Sequence, residues 1–62
     1  MVTVHEYIAK VQRQCAFYGF PHCPLDNAEI IECRAKGLTV DQTYTVACDV
    51  AAGFTFAEAI AA

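Results

Sequence analysis

The chain has 62 residues, 56% of them apolar, and a formal net charge of −3. That length suits one small domain, residues 1–62, which buries only about 60% of the surface its unfolded chain exposes; leftover apolar surface is expected to mark a partner or self-association site. Its only cations are Lys10, Arg13, Arg34 and Lys36. This is no basic stripe of the kind that meets phosphates, so direct nucleic-acid binding is not expected, whereas the acidic balance suits a basic protein partner.

The opening MVTVHEYIAK carries no basic region followed by a secretory apolar run, and no apolar run approaches the length of a membrane span. The expectation is a cytoplasmic protein with reduced thiols and no membrane contact. Thr3 and Glu6 have capping-box spacing, and Val2 with Tyr7 have the spacing of a hydrophobic staple. Val4, Ile8, Val11, Cys15 and Tyr18, joined by Tyr7, form one apolar stripe, and Gly19 stops the helix. These signals predict a first helix over about 4–18. Phe17 falls on the opposite, polar side with Glu6, Lys10 and Arg13. Either the loop from Phe20 to Leu25, stiffened by Pro21 and Pro24, folds back over the ring, which is the preferred reading, or Phe17 stays exposed and anchors a partner.

A second helix over about 27–36 is opened by Asp26 with Glu29, stapled by Leu25 and Ile30, and stopped by Gly37. Ala28, Ile31 and Ala35 face one way, Ile30 and Cys33 another, so this helix is expected between two neighbours. A third helix over about 40–52 is opened by Thr39 with Gln42 and stopped by Gly53, with Val40, Thr43, Tyr44, Ala47, Val50 and Ala51 as its stripe. A fourth over about 56–62 is opened by Thr55 with Glu58 and anchored by Phe56 and Ile60. The matching stretches GLTVDQ and GFTFAE are therefore punctuation. Each glycine closes one helix, and the following Thr opens the next. The fold class is all-α, a bundle of four short helices.

Cys15, Cys23, Cys33 and Cys48 lack the close pairing of a structural zinc site. His22 beside Cys23 is the nearest approach to one. Cys15 and Cys33 stand four residues before a stop glycine and Cys48 five. There Phe20, Leu38 and Phe54 are expected to pack back on the helix just ended, which accounts for these thiols as buried small apolar groups. Neither metal nor disulfide is expected. His5 and Glu6 are consecutive and diverge on a helix, and the glycines form no phosphate loop. No catalytic residue, cofactor or enzyme activity is expected.

Two functions fit. The first is a non-enzymatic protein-binding inhibitor of the kind carried by phages and mobile elements, anti-CRISPR proteins among them. It would cover a basic, nucleic-acid-binding surface of a host protein with an acidic helical face of Glu29, Glu32, Asp41 and Asp49, with Phe17 as an anchor. Self-association through leftover apolar surface is compatible with it. The second is a small helix-turn-helix DNA-binding regulator, since the turn Gly37–Leu38–Thr39 has the right length. Its recognition face would be Asp41, Gln42, Thr45 and Asp49, and this face has no cation to meet phosphate.

Overall fold

Each helix begins where a side chain can satisfy backbone N–H groups that have no partner within the helix. Thr3 Oγ1 accepts the Glu6 N–H at 3.1 Å, Asp26 Oδ1 the Glu29 N–H at 2.8 Å, Thr39 Oγ1 the Gln42 N–H at 3.2 Å and Thr55 Oγ1 the Glu58 N–H at 3.1 Å. In every case the acid or amide reaches back to the cap residue's own N–H. The computed structural model describes residues 2–61. It places α1 at Val4–Phe17, α2 at Asn27–Ala35, α3 at Val40–Ala51 and α4 at Phe56–Ala61, with no strand among the described residues. The expected end of the fourth helix, residue 62, lies outside the described residues.

The helix ends follow one hydrogen-bond pattern. The Phe20, Leu38 and Phe54 N–H groups donate to the Cys15, Cys33 and Asp49 carbonyls at 2.9, 3.1 and 3.1 Å. The preceding glycines donate to Ala16, Arg34 and Val50. These are three Schellman motifs, in which the residue after the glycine should rest on the helix residue whose carbonyl it meets. Phe20 and Leu38 pack on the core beside Cys15 and Cys33. Phe54 does not, and is 56% exposed. Its partner position holds Asp49; Cys48 stands one residue too early, so the third turn lacks the apolar contact.

α3 is central. It packs on α1 and α4 and, less extensively, on α2, while α1 also packs on α2. The core combines Tyr7, Val11 and Cys15 of α1 with Leu25, Ile30 and Cys33 around α2, Val46 and Ala47 of α3, and Ala59 of α4. Ile30, Val11, Cys15 and Cys33 are fully buried. Burial of an isoleucine such as Ile30 is worth about 1.5–3 kcal/mol. Thr43 is a fully buried polar residue. Its hydroxyl bonds the Tyr7 hydroxyl, which also donates to the Leu38 carbonyl at 2.8 Å. Among the described residues no buried side-chain N or O atom lacks a partner.

Three expectations are corrected here. α2 does have two neighbours, α1 and α3, but both meet it from the side of Ile30 and Cys33; Ala28, Ile31 and Ala35 are exposed, so the expected second apolar side stays uncovered. Tyr18 leaves the α1 stripe because the helix ends at Phe17, and as the cap residue it is 59% exposed. On α3, Val46 is buried and Ala51 exposed, because α4 packs there and turns the core face toward itself.

Candidate partner-binding surface

The end of α1 shapes an exposed apolar surface, formed by Phe17 and Tyr18. Gly19 takes φ +98°, a conformation that a Cβ disfavours, and this reverses the chain within one residue. Phe20 is thereby turned inward against the core, while Phe17 and Tyr18 stay outside. Phe17 is 81% exposed. The preferred expectation, a loop from Phe20 to Leu25 covering the ring, is thus corrected. The loop is anchored by Phe20 and Leu25 in the core and leaves Phe17 in solvent.

Four rings then run from solvent to core. Phe17 meets Tyr18 edge-on with centroids 5.0 Å apart; Tyr18 lies 5.1 Å from Tyr44 of α3; Tyr44 lies 6.5 Å from Phe20, again edge-on. Such edge and tilted pairings are favourable beyond the area they bury, so the exposed rings stand on a supported base. The Tyr44 phenol is pushed up to about 12, first by the Cys48 thiol one turn along α3 and then by burial, and it stays a neutral hydrogen-bonding group at physiological pH.

A groove between α1 and the start of α3 continues from these rings. One stretch is lined by Arg13, Gln14, Phe17, Tyr18 and Asp41, and the next by Lys10, Arg13, Gln14, Thr39, Val40 and Asp41. Gln14 Nε2 donates to Asp41 Oδ1 at 3.0 Å and bridges the two helices. Asp41 therefore faces the Lys10 and Arg13 side of α1. Asp49 is half-buried and opens into a different groove, between α3 and α4, with Lys36, Gln42, Thr45 and Ile60. Glu29 is half-buried and its carboxylate accepts the Asp26 N–H at 3.1 Å. Glu32 is exposed on α2. The structure thus brings Phe17 and Asp41 to one groove and leaves Asp49 on another and both glutamates on α2.

Tyr18 belongs to this surface although its helical phase points it inward, while Tyr44 packs against the core as its stripe predicts and supports Tyr18 from beneath. The usable signal was Gly19, because a cap residue departs from the direction its helical phase assigns. His22 is exposed and Cys23 half-buried in the loop before α2. Among the described residues no group of three His, Cys, Asp or Glu side chains is placed to hold a metal ion, and no helix is long and apolar enough to cross a membrane.

No protein-family model matches the chain, and neither a curated protein nor a solved structure shows significant similarity to it.

Proposed function

We propose that this chain is a non-enzymatic module that binds another protein through the aromatic end of α1 and the adjoining α1–α3 groove. The observation that carries the reading is Phe17, 81% exposed and braced edge-on by Tyr18. Apolar rings held rigidly in water are costly to solvate and act as anchors once a partner covers them. Gln14 and Asp41 supply the polar rim that such an anchor needs for orientation.

The proposed partner has a basic surface; the support is the whole chain's net charge of −3 together with Asp41, since the groove itself also carries Lys10 and Arg13. An acidic protein on a nucleic-acid-binding surface competes with phosphate, so the proposed action is inhibition of a host nucleic-acid-binding protein. The wider class of phage or mobile-element inhibitors rests on small size and acidity alone. The test is retention of partner from host lysate on immobilised chain, compared with Phe17→Ala and with Asp41→Lys, all three verified as folded by circular dichroism. A partner held by the parent chain and lost with Phe17→Ala supports the proposal. Retention equal on all three overturns it, and salt-sensitive binding of duplex DNA by the parent would favour the regulator instead.

A further inference from the structure

Cys15 and Cys23 have their Sγ atoms 3.6 Å apart, both as free thiols. A disulfide bond is about 2.05 Å long, so the sulfurs need approach by only about 1.5 Å. The two sides of the pair are unequal. Cys15 is fully buried in the last turn of α1, where its carbonyl accepts the Phe20 N–H. Cys23 is half-buried in the non-helical loop between Pro21 and Pro24. The approach can therefore come from the loop while the helix stays in place. The packing role of Cys15 does not account for Cys23, which is in contact with it and within reach of solvent.

We infer that Cys23 and Cys15 form a thiol–disulfide exchange site for low-molecular-weight disulfides, with Cys23 as the attacking thiol and Cys15 as the resolving one. In the first step the Cys23 thiolate attacks one sulfur of the small disulfide. That S–S bond breaks, one small thiol leaves, and a mixed disulfide remains on Cys23. In the second step the Cys15 thiolate attacks Cys23 Sγ and displaces the other small thiol. Two protein thiols become one disulfide, one small disulfide becomes two thiols, and two electrons pass from the chain to the reagent. The Cys15 thiol is pushed up to about 12, first by burial and then by the thiols of Cys23 and Cys48. The second step is therefore the slower one and speeds up as pH rises. The product ties the end of α1 to the loop before α2, directly behind the turn that presents Phe17 and Tyr18.

The experiment treats the full chain with excess oxidised glutathione at about pH 8, then alkylates the remaining thiols. Intact mass and a chymotryptic map follow, since chymotrypsin cuts between the two cysteines at Phe17 and Tyr18. The expected course is a transient single glutathione adduct at Cys23. It then gives way to a chain lighter by two hydrogen atoms, with Cys15 joined to Cys23 and Cys33 alkylated. Cys23→Ser should slow the loss of the free Cys15 thiol at least about tenfold, because the buried sulfur is then the only one of the pair left to attack. A lasting adduct on Cys23, a Cys15–Cys48 link, or oxidation of Cys15 at an unchanged rate in Cys23→Ser would each overturn the assignment. The map of the parent chain decides the matter even if a variant fails to fold, and none of its outcomes depends on whether the aromatic surface binds a partner.

Discussion

The hydroxyl of Tyr7 joins α1 to the α2–α3 turn and to α3 through the Leu38 carbonyl and the Thr43 hydroxyl. Burial raises its pKa against the lowering effect of the Thr43 bond, so it remains a neutral donor. Tyr7→Phe keeps the ring and deletes the hydroxyl, which leaves Leu38 O and Thr43 Oγ1 short of a partner. The expected loss is about 1–3 kcal/mol, the desolvation cost of buried groups left without hydrogen bonds. Urea denaturation measures it, and a variant as stable as the parent would show that water replaces the phenol. Phe17 makes the opposite case. With the ring exposed, Phe17→Ala should change stability by under about 0.5 kcal/mol, as surface substitutions do. A loss of about 3 kcal/mol or more, typical of a buried ring, would mean that Phe17 is covered in solution. Helical phase alone placed Tyr7 and Thr43 inward and Phe17 outward. The bond between Tyr7 and Thr43 was not legible, since it depends on how two helices distant in sequence are set against each other. The exposure of Phe17 was equally open, because whether a proline-stiffened loop covers a ring depends on where its two apolar ends are anchored.

The helix boundaries were readable because their signals are local. A cap oxygen and an acid three residues on define a start wherever they occur, and a glycine that accepts positive φ defines a stop. The observed starts match the expected ones, and the first three ends fall one residue short because the expected last residue is the cap. What stayed hidden depends on neighbours. Only contact with the rest of the fold could tell that α1 and α3 both meet α2 from the side of Ile30 and Cys33. Gly37 tests the stop directly. It has φ +84°, and an added Cβ would meet nothing within 4 Å, so backbone strain is the only penalty. Gly37→Ala should cost about 1–2 kcal/mol. Gly37→Asn should cost less, because Asn tolerates the left-handed region. Equal loss in both would indicate crowding instead of strain. α4 is more exposed to such changes. Its six residues are too few for a helix to hold by itself, and it rests on α3 through Ala59, Phe56 and Ile60. Thr55→Ala removes its cap and should cost about 1 kcal/mol. Amide exchange should then quicken in α4 before it does in α1; uniform acceleration would mean that α4 unfolds only with the whole.

At the scale of the molecule, the acidic groups that the core perturbs lie on α1, α2 and α3 and are shifted in one direction. Cys15 is raised to about 12 and Cys33 is raised, both chiefly by burial; Tyr7 is raised by burial, and Tyr44 to about 12 by Cys48 and burial. Each is neutral when protonated, and the folded state holds its proton more tightly than the unfolded chain does. Between the ordinary values, 9.0 for cysteine and 10.0 for tyrosine, and the raised folded values, the native state binds more protons. Stability must then fall as pH rises, because unfolding releases protons. The contribution is complete below about pH 9 and is lost as pH climbs toward about 12. On the acid side Glu58 is shifted down, held by its bonds to the Thr55 backbone and hydroxyl, and it is exposed at the surface. Its share is present above its ordinary value of 4.5 and is lost as pH falls through the lower folded value. The expected profile is therefore a plateau near neutrality that falls away on the alkaline side. The measurement is the urea midpoint in the presence of a phosphine reductant, which keeps Cys15 and Cys23 from oxidising at high pH. The midpoint should hold between about pH 6 and 8 and drop clearly by about pH 10.5, with an unchanged slope against urea, since the surface exposed on unfolding stays the same. A midpoint that stays level to about pH 11 would mean that water reaches Cys15, Cys33 and Tyr7 in solution, and that the core between α1, α2 and α3 is looser than its packing indicates.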